Sequence, residues 1–480
     1  MAGGGNAIIE FESLNTAKSF TAHYTRRIIN QAPGLEVIVG HRSYEEGQLA
    51  QALQLLQVDL AKGKTERRPS VPLLGLSVTA SCRETGMPAA TIDKNDHSTP
   101  LSKIVSLGRE EVKDWAHKRW AEFLDKRDRS EPTFPMELDH LGRTFGDTSQ
   151  IGVVHVDGNS VGRMIRDWLK KKIDVEENDA IVRNQYREWS RAIDDLGRQA
   201  LGAVIRRVQE SKIKRRDLKD EDVFETSGHP QKLNFELTKE NDNKLSLPIR
   251  PILLGGDDLT FVCDGRIALD LATTALAVFE KAGEINLLGK VDACAGVSVV
   301  RSHAPFSRAY DLAEKLCFSA KRMLENENES GCALDWHIGS IKPSETVEDI
   351  RNRQYLQNQN ELTCRPYRLR SDDNRKESWQ WLAETVLDDD KSGLREGVWS
   401  DSRNKVIALG KIVREGPDGV RRAIETWQVA KPDLMLPPAI SVDGFLDKMR
   451  TPLLDAVELV DLHLSLKPAK RVTHIKEGES

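Results

Sequence analysis

Apolar residues follow two rhythms along this chain, and the switch between them marks its parts. IGVVHV at 151–156 reads as a short apolar strand; the glycine-containing stretch DGNSVG interrupts it, and RMIRDWLKKK then takes up helical spacing. In 184–212, Trp189, Ile193, Leu196, Leu201, Val204, Ile205 and Val208 recur at steps of three or four, which predicts a helix laid on a sheet. PIRPILL and LTFVC then flank the turn Gly255-Gly256-Asp257-Asp258. Beyond it the pattern predicts a helix over 266–282, a strand over 291–300, a helix over 306–324 and a strand over 332–338.

Upstream, 7–11 (AIIEF) and 35–39 (LEVIV) read as strands around a helix over 14–31, whose Phe20, Tyr24, Ile28 and Ile29 share one side. A further apolar run spans 73–78, and the polar stretch after it holds one expected helix near 110–126. Residues 212–245 are charged and poor in apolar positions, a surface excursion. After Pro366 the chain turns helical, over 376–388, 402–415, 418–428 and 442–463. The divisions expected are 1–82, a connector over 83–150, an α/β (α+β) body over 151–370 with an insertion at about 212–246, and an all-α C-terminal domain over 371–480.

Composition narrows the class. At 480 residues the chain is long enough for about three domains, and a mean hydropathy of -0.49 fits a soluble globular protein. No uncharged run reaches the ~18 residues that span a bilayer, and the opening MAGGGNAIIEFE has no basic head or cleavage site, so the cytoplasm is the expected compartment and no membrane partner is expected. Seventy basic against seventy-five acidic residues give a net charge of -5, so contact with nucleic acid must be local. The basic runs at 163–172 and 206–219 read chiefly as solvated helix faces, and Trp379, Trp381, Trp399 and Trp427 as core. Six cysteines form no CxxC pair; no zinc is expected, and most read as buried thiols.

The chemistry lies at two corners. Asp257 and Asp258 sit together at a hairpin tip, where their repulsion would be offset by a divalent cation such as Mg²⁺, which prefers one or two carboxylates plus substrate phosphates. Glycine and aspartate are also ordinary hairpin residues, so the tetrapeptide alone carries either reading. Asp157 ends another apolar strand and opens a glycine loop into a helix, where backbone N–H groups cradle phosphate. If the strands are neighbours, three carboxylates meet at one sheet edge as a two-metal clamp for attack of a hydroxyl on a phosphoryl group.

In order, VHVDGNSVGRMI, LLGGDDLTFVCDGRIALDLA, CAGVSVV and AYDLAEKLCFSAKRML resemble the catalytic palm of the polymerase/cyclase large subunit of type III CRISPR complexes, and also that of GGDEF diguanylate cyclases. The likeness covers about 151–370, with RPYRL at 365–369 resembling the segment that closes the palm. It implies a ferredoxin-like βαββαβ palm in which Asp157, Asp257 and Asp258 hold two Mg²⁺ or Mn²⁺ ions. It further implies that Gly158, Asn159, Ser160, Val161 and Gly162 wrap a triphosphate, beside Gly255 and Gly256, and that Lys321 reaches a terminal phosphate. Asn159 stands where relatives frequently place a second acid, and the family's HD doublet is missing, so DNA cleavage is not implied.

By the same resemblance the N-terminal segment is a partial, degenerate first palm, with GGGN at the place of the GGDD turn and its acids gone. A second polypeptide completing it is one expectation; a self-contained smaller domain is the other. The function implied is condensation of nucleoside triphosphates, ATP foremost, into a cyclic nucleotide or oligonucleotide messenger in antiviral defence. Other implied partners are RNA, further subunits of a defence complex, or a second copy of the chain. The alternatives are a structural subunit that binds nucleotide or RNA, and a diguanylate cyclase using GTP.

Overall fold

The computed structural model describes residues 2–3, 5–66, 78–94, 96–125, 132–141, 150–214, 222–224, 226–227, 246–282, 289–339, 342, 345–370, 377–437, 440–446 and 449–466. Contacts divide the chain into two compact units: residues 1–122 with 160–192 and 286–289, and residues 123–159 with 193–285 and 290–480.

In the first unit, α1 (Leu14–Gln31) is capped by the Ser13 hydroxyl, which accepts from the Thr16 N–H. Helices α2 (Leu49–Thr65) and α3 (Lys103–Ala121) follow, then α4 (Val161–Asp174) and the first part of α5 (Asp179–Glu210). The core is Leu49, Ala50 and Leu53 of α2 against Trp168 and Leu169 of α4 and Val182 and Tyr186 of α5. Asp179 ties the group together by accepting from the Gly47 and Leu49 N–H groups at 2.8 and 2.9 Å. This packing explains why residues 160–192 group with the N-terminus, a division unlike the sequence boundaries at 82, 150 and 370.

Two expected strands differ. Residues 8–11 and 35–39 lie outside any β-ladder; the short ladder here joins Ala2–Gly3 to Asn6–Ala7. The reason is burial: Leu35, Val37 and Val39 are all exposed, so their alternation has no core face behind it. The expected strand at 73–78 lies outside the described residues except for Val78, which is in a turn. The connector helix begins at Lys103, earlier than expected.

The second unit is built on a six-stranded sheet. Its strands are β1 (Gln150–Gly158), β2 (Ile249–Gly255), β3 (Asp258–Asp264), β4 (Ala293–Arg301), β5 (Ala333–Ile338) and β6 (Tyr367–Arg368), in the order β6-β5-β4-β1-β3-β2. The four strands β4-β1-β3-β2 pair antiparallel, the ferredoxin-like order expected of a βαββαβ palm. β5 adds parallel to β4 and β6 antiparallel to β5. β1 and β4 are central and buried along nearly their whole length, which is why they read as unbroken apolar runs. β2, at the edge, carries Pro251 and exposes Ile252 and Leu253.

Helices α6 (Ala268–Lys281) and α7 (Phe306–Asn326) supply the crossovers. α7 approaches β4 closely enough that a side chain at Gly296 would fall on the Ala313 carbonyl. Beyond α8 (Val347–Gln354) come α9 (Arg403–Ile412), α10 (Pro417–Gln428) and α11 (Leu453–Leu462). The helix expected at 442–463 is confined to α11, and that at 376–388 is a single turn, Trp379–Trp381, running into a wider one over Leu382–Leu387. The end is also not wholly helical: Ser465–Leu466 pairs antiparallel with Thr226–Ser227 of the excursion.

The RPYRL segment is bolted to α11. The wholly buried Arg365 pairs with Asp455 at 2.8 Å and donates to the Trp336 carbonyl at 3.0 Å. Asp455 also accepts from the Tyr367 hydroxyl and the Cys364 N–H, at 2.9 and 2.7 Å. Trp379 stacks edge-on against Trp336, and Trp399 against Trp427, which places these tryptophans in packing. Arg207 of the second basic run forms a two-pronged pair with Asp270 at 3.0–3.1 Å. All six cysteines are buried and unpaired. Among the described residues no helix is long and apolar enough to cross a membrane.

Candidate functional site

The register of the central strands brings the three aspartates together. In the β1–β3 ladder the last pair is Val156 with Leu259, so Asp157 and Asp258 stand one position further on, at the same edge. β2 and β3 close with Gly255 against Asp258, leaving Gly256 and Asp257 at the tip; Gly256 takes φ +71°, where a glycine is at no cost. The tip leans onto β1: a side chain at Gly158 would fall on the Asp257 carboxylate, so this glycine is a seat for the acid.

Burial and mutual repulsion dominate the electrostatics. Burial pushes the Asp257 carboxyl above its ordinary range, and the Asp157 charge adds to it. Asp258 is pushed up to about 7 by burial, then by Asp157, Asp257 and Glu314. Its Oδ1 atom is buried without a hydrogen-bond partner.

Lys321 is the positive charge in this group. Its Nζ donates to Asp157 Oδ2 at 2.6 Å and to the Gly158 carbonyl at 2.8 Å. Burial works against the ammonium, but the Asp157 carboxylate and neighbouring groups hold its pKa above the ordinary lysine value. The sequence reading sends this lysine toward a terminal phosphate; in the structure it balances Asp157.

The rest of the expected phosphate loop divides. Asn159 turns toward β4 and β5: its N–H donates to the Asp292 carbonyl at 2.7 Å and its Nδ2 to the Gly331 carbonyl at 3.1 Å. Ser160, Val161 and Gly162 belong to the first unit, where Ser160 is left-handed (φ 58°) at the start of α4 and its hydroxyl accepts from Arg163 at 2.6 Å.

Sequence reasoning passed over His155, Thr260, Tyr310 and Glu314. The His155 ring nitrogen lies 3.1 Å from the Thr260 hydroxyl and 3.5 Å from Asp258 Oδ1, and burial holds this histidine below its ordinary pKa. Tyr310 meets the His155 ring edge-on at 5.8 Å. Strand alternation puts His155 on the same face as Asp157, and steps of four and seven along α7 put Tyr310, Glu314 and Lys321 on one side. Both signals were present in the sequence.

The carboxylates suit a divalent cation by donor chemistry: acids, held close at the cost of raised pKa values, with the buried Asp258 Oδ1 lacking a hydrogen-bond partner. Among the described residues no group of three or more His, Cys, Asp or Glu side chains stands close enough together to hold a metal ion by itself.

No protein-family model matches the chain, and no curated protein does. Solved structures do. The apo Csm1–Csm4 cassette matches at 14% identity and TM-score 0.41 over 94% of this chain and 60% of that one. The same cassette with AMPPNP matches at 14% and 0.40 over 93% and 60%. Csm1 of T. onnurineus matches at 14% and 0.33 over 68% and 40%. The chain spans 37% to 60% of the length of the solved chains it matches.

Proposed function

We propose that the protein is a metal-dependent nucleotidyltransferase that condenses nucleoside triphosphates, ATP foremost, into a cyclic nucleotide or oligonucleotide messenger with release of pyrophosphate, in the setting of antiviral defence. The observation that carries this reading is the register that sets Asp157 opposite Asp258, with Asp257 at the adjoining tip. No serine, cysteine or histidine nucleophile is required, because phosphoryl transfer is chiefly positioning and charge stabilisation.

In this reading Asp157, Asp257 and Asp258 hold two Mg²⁺ or Mn²⁺ ions. Bound there, the ions lower the pKa of the attacking 3′-hydroxyl and neutralise charge on the triphosphate. Asp258 would hold an ion in its ionised form, through a buried Oδ1 that has no hydrogen-bond partner. With Asp157 engaged, Lys321 is released to face a phosphate; its stem, rooted on α7, already reaches the Gly158 carbonyl. Gly158 keeps a side chain out of the space that the Asp257 carboxylate fills, and buried His155 lies 3.5 Å from Asp258.

A partner for the N-terminal segment is part of the proposal. Among the described residues α1 buries none of its side chains, and Phe20, Tyr24 and Ile29 are exposed along it; a second polypeptide that covers this face is the reading favoured. RNA, other subunits of a defence complex and a second copy of the chain are further candidates.

The test is incubation of the purified protein with each labelled nucleoside triphosphate and Mg²⁺ or Mn²⁺, with products resolved by mass spectrometry. Asp257→Ala with Asp258→Ala should abolish a cyclic product while the fold persists; full turnover in that double variant would sink the assignment. Product from GTP alone would move the reading to a diguanylate cyclase. Retention of guide RNA without turnover would move it to a structural subunit.

A further inference from the structure

A glycine inside a helix costs roughly 1 kcal/mol against alanine, so one that packs against a functional turn calls for an explanation. Gly197 lies in the interior of α5, and a side chain there would fall on the carbonyl oxygen of Gly256. The same added carbon would lie 3.1 Å from the Gly256 carbonyl carbon and 3.3 Å from Leu254 Cδ1. The backbone of the Asp257–Asp258 hairpin therefore rests directly on the α5 backbone. Gly202, five residues on, meets the end of a flexible side chain, Arg206 Nη1 at 3.2 Å, and Phe123 Cδ1 at an ordinary contact of 3.9 Å.

The tip is held from two directions. Gly197 receives the Gly256 carbonyl, and Gly158 of β1 receives the Asp257 side chain, whose Cβ would stand 2.8 Å from an added methyl. β2 is the sheet edge, its outer side without a further strand among the described residues. Contact with α5 is what holds this edge hairpin at its height over Asp157.

We infer that Gly197 is a positioning residue: it lets α5 act as a stop for the hairpin tip and so sets the distance from Asp257 and Asp258 to Asp157. The inference rests on the metal-site reading above and assigns that site its mechanical support. A methyl at position 197 moves the tip outward, since backbone cannot yield as a side-chain end does. A displacement of about 1 Å is enough to lower turnover on the order of 10- to 100-fold.

The experiment compares Gly197→Ala with Gly202→Ala, two substitutions with the same gain in helix propensity on the same helix. Mn²⁺ affinity is read from the electron paramagnetic resonance of free Mn²⁺ without nucleotide, backbone amide exchange over 253–260 by mass spectrometry, and turnover as kcat and KM separately. Gly202→Ala should match the unsubstituted protein in all three. Gly197→Ala should weaken Mn²⁺ binding roughly tenfold or more, speed exchange over 253–260, and lower kcat with little change in KM. A folded Gly197→Ala protein with Mn²⁺ affinity within about twofold of the parent and unaltered exchange overturns the inference. Should that variant not fold, Leu254→Ala removes the neighbouring contact without adding an atom; unchanged Mn²⁺ affinity and exchange there overturn it equally. If the parent protein binds no Mn²⁺, the metal-site reading fails, and the exchange comparison still decides whether α5 seats the tip.

Discussion

Asp258 makes a prediction whose sign is opposite to the usual effect of losing a charged residue. Burial and the neighbouring Asp157, Asp257 and Glu314 raise its carboxyl from 3.8 to about 7. In the folded protein it keeps a proton that the unfolded chain gives up near pH 4. Stability is therefore unaffected by this group below the unfolded value, falls as pH rises through the window between about 4 and 7, and bears the whole penalty above it. The undiscounted shift corresponds to roughly 4 kcal/mol. Because the side chain is 35% exposed, solvent screening reduces this to about 2 kcal/mol. Asp258→Asn keeps the shape of the protonated acid and cannot ionise. Without divalent cations, the variant should melt roughly 2–4 °C above the parent near pH 8, an offset that shrinks to about a third of that near pH 5. Mn²⁺ should then raise the parent's melting temperature at pH 8 and leave the variant's almost unmoved. An Asn variant with the same offset from the parent at both pH values would refute the electrostatic account of the site.

Other perturbations test the supports. Lys321→Met should tighten Mn²⁺ binding in the absence of nucleotide, since Asp157 loses a competing cation, while raising the KM for triphosphate; titration calorimetry and initial rates read the two effects. Gly296→Ala drives a methyl into the Ala313 carbonyl and the Cys317 N–H, so α7 must lift from β4; a loss of about 1–3 kcal/mol in denaturant unfolding is expected. Asp455→Asn leaves the buried Arg365 with Glu458 as its remaining acidic partner, at 3.2 Å, and should cost about 1–3 kcal/mol by the same measurement. Asp157→Asn should remove most turnover with little change in melting temperature.

The central sheet was legible because β1, β3 and β4 are buried on both faces and so read as unbroken apolar runs, and because Gly255–Asp258 can only be a turn between two of them. The same logic misled at 35–39. There LEVIV has the residue types of a strand, but Leu35 is 60% exposed and no ladder forms, since composition states preference and not the presence of a buried face. The division between units was hidden for a different reason. Trp168 and Tyr186 look like ordinary amphipathic positions, and nothing local says that their partners are Leu49 and Leu53, more than a hundred residues away. Gly197 was equally silent: in sequence it is a weak helix residue, and its purpose exists only once Gly256 lies against it.

Lys321 shows how far a motif-based reading carries and where geometry takes over. Its position in SAKRML implied contact with phosphate, and α7 does deliver its ammonium to the acidic corner. That ammonium holds Asp157 at 2.6 Å, while the two hairpin acids keep raised pKa values and Asp258 Oδ1 is buried without a hydrogen-bond partner. Among the described residues one ammonium faces the three carboxylates, and two of its three donors are already spent on Asp157 and the Gly158 carbonyl. Both roles follow if binding is ordered. Were Asp157, Asp257 and ionised Asp258 to hold such ions, Lys321 would give up Asp157 and would then be free to face a phosphate. The order makes a proton count part of the argument: Mn²⁺ binding near pH 6 should release protons to buffer, and Asp258→Asn should reduce that release. Proton release unchanged in the Asn variant would show that the raised carboxyl and the metal site are separate features of this corner.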